Sequence, residues 1–181
     1  MPHPSRQYSD NDLRESRLVF YKEDIQQIDS TLREFLSRSK SQAALLVDKD
    51  GHLITQEGSA DMTETDVDTI SALVAGCVAA TREMARILGE EEFSVLFHQG
   101  KTDSIQLSLV GDRTLLTVIF DEATTVGMVR LYASETARRL SDLFAKHERE
   151  RRQNPGARND PDLAEGFVGD AKDKLDDLFG G

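Results

Sequence analysis

The run Leu115-Leu116-Thr117-Val118-Ile119-Phe120 constrains the fold of this chain more than any other feature. An almost continuous apolar stretch of this length is expected for a strand buried on both faces, because a half-exposed strand would alternate instead. Such a strand belongs inside a sheet with helices packed against it. Its neighbours supply the rest of that sheet. Phe93, Val95 and Phe97 alternate, as do Ile105, Leu107 and Leu109, with Gly100-Lys101-Thr102-Asp103 and Gly111-Asp112-Arg113 as the intervening turns. Upstream, Ala43 to Val47 and Leu53-Ile54-Thr55 flank Asp48-Lys49-Asp50-Gly51. Asp-Gly between two such runs signals a hairpin, since glycine tolerates the positive φ of the turn.

Three helices complete the pattern. Residues 21–39 carry an apolar stripe of Ile25, Ile28, Leu32, Phe35 and Leu36. Residues 63–88 form the longest periodic segment, opening with Thr63-x-x-Asp66 as a capping box and stopping at Gly89. Residues 125–146 turn Val126, Val129, Ala133, Ala137, Leu140 and Phe144 inward. The order is helix, two strands, helix, three strands, helix. Short turns make most strand pairs antiparallel, which is an α+β arrangement.

The flanks differ from this domain. Residues 1–18 are polar with two prolines and read as a disordered arm, ahead of a domain over 19–146. Past Lys146 the apolar pattern collapses. Lys146, Arg149, Arg151, Arg152 and Arg158 outnumber Glu148 and Glu150, and the charge then inverts from Asp160 onward. The inversion, with Pro155 and Gly156 at its join, marks a linker over 147–169 and an acidic amphipathic tail helix over 170–181. The tail puts Leu175, Leu178 and Phe179 at helical spacing around Asp176 and Asp177. A segment this short cannot hold a helix alone, so its apolar anchors call for a groove on a partner.

Composition excludes several functions. The net charge of -11 argues against nucleic acid and anionic membranes as main partners, since both require neutralising Lys and Arg. The single cysteine, Cys77, rules out an internal disulfide framework and Cys-rich metal sites, and its apolar setting suits a small buried residue. Neither a signal-peptide core nor a membrane-length apolar run occurs, so the expected location is the cytoplasm.

Catalytic and cofactor motifs fail on inspection. Gly100-Lys101-Thr102 matches the end of a phosphate loop, but Val95 stands where the first glycine belongs and a strand follows instead of a helix. Asp48, Asp50, Gly51 and Glu57 fall at calcium-loop positions, yet Leu46 takes the first ligand place and strands flank the segment. His3, His52, His98 and His147 lie one per region without metal-ligand spacing. Glu90-Glu91-Glu92 reads as a solvated turn. No active site, metal site or cofactor is expected.

The longest helix carries two faces. Val67, Ile70, Val74, Cys77, Thr81, Met84 and Leu88 form the expected core side. Nearly opposite lie Ala72, Ala75, Gly76 and Ala79, followed by Glu83 and Arg86. Exposed alanines can simply favour the helix. Gly76, however, costs about 1 kcal/mol relative to alanine there, and small side chains let another backbone come close. That combination favours a helix–helix or helix–partner contact, and self-association through it would be two-fold.

The segments Leu46-Val47-Asp48-Lys49-Asp50-Gly51, Ala75-Gly76-Cys77-Val78-Ala79-Ala80 and Phe97-His98-Gln99-Gly100 resemble the roadblock (dynein light chain) family, in its bacterial MglB branch. So do Val110-Gly111-Asp112-Arg113, Val118-Ile119-Phe120-Asp121, Gly127-Met128-Val129-Arg130-Leu131 and the closing Leu-Asp-Asp-Leu-Phe. The resemblance implies a roadblock/longin-like αββαβββα sandwich, a five-stranded antiparallel sheet with one long helix on one face and two helices on the other. It also implies a homodimer with paired long helices that accelerates GTP hydrolysis by an MglA-type small Ras-like GTPase controlling cell polarity and motility. Such a protein has no active site of its own, remodels the GTPase switch regions, is cytoplasmic and can concentrate at a cell pole.

Carried over, the implied GTPase-binding residues are Ala72, Ala75, Gly76, Ala79, Glu83 and Arg86. Leu175, Asp176, Leu178 and Phe179 make the second, C-terminal contact. One departure stands out: the face turns charged at Arg82, Glu83 and Arg86, where the pattern expects small residues. The alternative reading is a roadblock scaffold that binds a GTPase or signalling partner without stimulating hydrolysis.

Overall fold

The structure, a computed structural model, describes residues 22–58 and 62–153. The arm over 1–18, the linker from residue 154 onward, and the tail with Leu175, Asp176, Leu178 and Phe179 lie outside those residues. In chain order the elements are α1 (Lys22–Ser39), β1 (Ala43–Asp48), β2 (Leu53–Gly58), α2 (Glu64–Leu88), β3 (Val95–Gln99), β4 (Ser104–Val110), β5 (Thr114–Phe120) and α3 (Val126–Gln153). The strands form one antiparallel sheet in the order β2-β1-β5-β4-β3. The apolar run is thus the central strand, and all seven of its residues are buried.

Alternation along each strand sorts the two layers. Ala43, Leu45, Val47 and Ile119 meet Val67 of α2, while Leu107 and Leu115 meet Val74. The opposite face receives α1, through buried Ile28, Leu32 and Phe35, and α3, through Val129, Ala133 and Leu140. There the helices are clipped to each other. Arg38 reaches Glu135 and Arg139 reaches Glu34, both at 2.9 Å, and the Arg38 guanidinium lies 4.5 Å from the centre of the Tyr132 ring.

Turn chemistry fixes the connections. Gly51 has φ +93°, and the Asp48 carboxylate accepts the backbone N–H of Asp50 and of His52. Gly100-Lys101-Thr102-Asp103 closes the β3–β4 hairpin, with Gly100 N donating to Asp103 O at 2.9 Å. The capping box of α2 is present: Asp66 N donates to Thr63 Oγ1 at 3.2 Å and Thr63 N donates to Asp66 Oδ2 at 2.9 Å. At the other end Gly89 adopts φ +76° and takes up the last carbonyls.

Two expectations need correction. Met84 and Leu88 are not core residues but stand 50% and 70% exposed. The sheet-facing line of α2 runs instead through Val67, Ser71, Val74 and Ala85, all buried. Its apolar residues cover an arc wider than the sheet can bury, so the far side of that arc meets solvent. The last helix also continues past Lys146 to Gln153. No apolar stripe announces those turns; Lys146 with Glu150 and Arg149 Nε with Ala145 O support them locally.

Candidate interaction surface

Three features of α2 and its surroundings stay uncovered by the fold. The first is the small-residue side. Ala72, Gly76 and Ala79 are exposed and Ala75 is half-buried. The structure divides this stripe by cause. A Cβ added to Gly51 would meet Ala72 Cα at 3.0 Å and Ala75 Cβ at 3.5 Å, so the β1–β2 turn rides on those two alanines. Nothing lies within 4 Å of a Cβ at Gly76. The glycine and Ala79 therefore form a bare strip beside the turn, where a partner's backbone can approach without side-chain obstruction.

One turn further along, the strip ends in charge. Arg86 is tied to Glu83, with Nε 3.0 Å from Oε2 and a second contact from Nη2. This bond holds the Glu83 carboxyl below its usual range and raises the Arg86 guanidinium further. Both side chains are largely exposed, so the pair shapes the surface more than it stabilises the helix. Arg82 instead lines a shallow cleft between α2 and the sheet with Val78, Thr81, Phe93 and Leu96.

The second feature escapes a reading of the sequence by its core stripe. Leu73, Cys77, Ala80, Met84 and Ile87 follow one another at spacings of four, three, four and three. That is the seam pattern of one helix packing along another. Leu73 and Ile87 are 63% and 74% exposed, which is costly surface for an isolated helix face. The alternating spacing is the available signal; a single core stripe drawn on the wheel absorbs Met84 and leaves Leu73 and Ile87 unassigned.

The third feature is the sheet edge. β2, at one edge, carries a register break opposite Leu46 and Val47, a bulge of the kind that discourages further strand pairing. β3, at the other, pairs with β4 in unbroken register; it begins at exposed Val95 and follows exposed Phe93. Only the β3 edge is shaped to accept another strand.

The remaining candidates are placed simply. His52 Nδ1 lies 3.1 Å from Asp48 Oδ2 in the β1–β2 turn, and His98 is exposed at the end of β3. Among the described residues no group of three or more His, Cys, Asp or Glu side chains could hold a metal ion. None of the described helices is long and apolar enough to cross a membrane.

Comparison with known proteins agrees with this geometry. Residues 27–120 match the Roadblock/LC7 domain model. The gliding protein MglB from Thermus thermophilus is 29% identical, with a TM-score of 0.66 over 71% of this chain and 96% of that one. Myxococcus xanthus MglB is 34% identical, with a TM-score of 0.62 over 66% and 96%. An MglB with a tetrameric arrangement is 30% identical, with a TM-score of 0.67 over 71% and 96%. No curated protein sequence matches. The chain belongs to the Roadblock/LC7 domain family, as an MglB-like member.

Proposed function

We propose that this protein is a homodimeric GTPase-activating protein for an MglA-type small Ras-like GTPase that controls cell polarity and motility. The observation that carries this reading is the division of α2 into two uncovered faces. Its apolar seam, from Leu73 to Ile87, suits the α2 of a second copy, and the β3 edge suits that copy's β3. The bare Gly76–Ala79 strip, beside the β1–β2 turn and ending at Glu83 and Arg86, suits the GTPase.

The contribution to hydrolysis is positional: a switch region held against this rigid strip brings the GTPase's own groups into line with the γ-phosphate and water. The C-terminal residues Leu175, Asp176, Leu178 and Phe179 provide a second contact with the same GTPase. The protein works in the cytoplasm and concentrates at a cell pole. The rival reading, a scaffold that binds without stimulating hydrolysis, differs in rate and not in affinity.

The contact surface is tested by Ala79→Arg, which places a long cation on an exposed position of the strip. Titration of the GTP-bound GTPase should show affinity falling at least about tenfold, about 1.4 kcal/mol, while circular dichroism stays unchanged. Unaltered affinity would remove the strip from the site.

A further inference from the structure

In a symmetric pair, one two-fold axis has to serve both the β3 edge and the seam of α2, and each restricts where it can pass. Leu109 N donates to Ser94 O at 3.0 Å and Gly100 N donates to Asp103 O at 2.9 Å, so even-numbered residues here turn their backbone groups toward β4. Val95, Phe97 and Gln99 therefore turn theirs outward. A second β3, antiparallel to the first, can bond only where these residues meet one another. Its axis then lies level with Leu96, Phe97 or His98 and never between two residues.

Side-chain chemistry separates the three. Centred on His98, the strands oppose two imidazoles and set Phe97 against Gln99. Centred on Phe97, they bond one pair further toward the strand ends but set Val95 against Gln99 and Leu96 against His98. Centred on Leu96, they join the two Leu96 side chains on the α2 side, where Leu96 already packs with Val74 and Leu107. On the other side Val95 meets Phe97, which stacks on Phe120 with ring centres 6.1 Å apart. Exposed Val95 and half-buried Leu96 and Phe97 all gain apolar neighbours in this register alone.

The helix leads to the same level. Leu96 shares its cleft with Val78 and Thr81, so an axis through Leu96 passes α2 close to Ala80. Ala80 is exposed and is the smallest side chain of the seam, with Cys77 and Met84 on either side and Leu73 and Ile87 beyond them. Paired helices approach most closely where the contact residues are small.

We propose that the two-fold axis of the dimer passes between the two Leu96 residues in the sheet and between the two Ala80 residues in the helices. The inference rests on the homodimer proposed above and adds its register. Cys77 then lies beside Met84 of the second copy. The two cysteines stand about 9 Å apart along the helices, at about 1.5 Å per residue, which is beyond disulfide reach.

Disulfide trapping in the full-length protein tests this placement. In a Cys77→Ser background, Leu96→Cys and Ala80→Cys should each give at least about tenfold more covalent dimer under mild oxidation than Phe97→Cys or His98→Cys. The unaltered chain, with Cys77 in place, should give none. Ala80 is exposed, so its variant reports on the axis even if Leu96→Cys fails to fold. Trapping through Phe97→Cys or His98→Cys in preference to Leu96→Cys would overturn the register and leave the dimer standing. Ala80→Cys that stays uncoupled while sedimentation reports a dimer would overturn the helix crossing. A wild-type chain that sediments as a monomer would remove the homodimer itself, and this placement with it.

Discussion

At Gly51 one residue joins three parts of the molecule: the β1–β2 hairpin, the N-terminal half of α2 and the edge of the proposed contact strip. Its φ of +93° is strained for any residue with a Cβ, and the space such an atom would need is occupied by Ala72. Gly51→Ala should therefore cost about 2 kcal/mol of stability in denaturant unfolding; a loss near zero would mean the turn does not bear on α2. A second residue-scale effect comes from the cap of α2. Hydrogen bonds from the Thr63 side chain and backbone hold the Asp66 carboxyl below its ordinary 3.8. A depressed folded-state pKa gives stability that is present above the ordinary value and lost as pH falls through the folded one. Wild type and Asp66→Ala should thus differ in melting temperature at neutral pH and converge under acid conditions below 3.8. A gap that persists or widens in acid would refute the role given to the carboxylate.

Elements vary in how openly the sequence declares them. The hairpins are legible because Asp50-Gly51 and Gly100 to Asp103 satisfy local turn chemistry whatever surrounds them. The central strand is legible because six consecutive residues from Leu115 to Phe120 tolerate no exposed face. The faces of α2 are not, because apolar residues destined for the sheet and for the outer seam form one broad arc on a wheel. Only the sheet's extent decides that Val74 is covered and Met84 is not. The length of α3 is hidden for the opposite reason: its last turns have no apolar face and rest on pairs such as Lys146 with Glu150. The small stripe is recognisable, but its halves have different causes, and the contact between Gly51 and Ala72 depends on a turn distant in sequence. The seam of α2 gives the prediction at this scale. Leu73→Glu with Ile87→Glu should leave each domain folded, with stability changed by only about 0.5 kcal/mol per exposed site, and should convert a dimer to a monomer by sedimentation. A dimer that survives both substitutions would place self-association elsewhere.

For the whole molecule, the distribution of surfaces favours regulation through contact. The buried chemistry of the described residues is that of packing; the uncovered chemistry is the apolar seam of α2, the β3 edge and the small-residue strip beside the β1–β2 turn. Two of these suit a second copy of the chain and the third stays open to a partner. The net charge of -11 fits a partner with a basic surface. Family membership agrees with this layout, and the proposed activation requires that the open strip change the rate of a bound GTPase and not merely hold it. Single-turnover GTP hydrolysis by an MglA-type GTPase, with this protein in excess, decides it. Hydrolysis at least about tenfold faster than by the GTPase alone, equivalent to about 1.4 kcal/mol off the barrier, is the expected result. An unchanged rate from a GTPase shown to be bound would contradict the account and leave a scaffold.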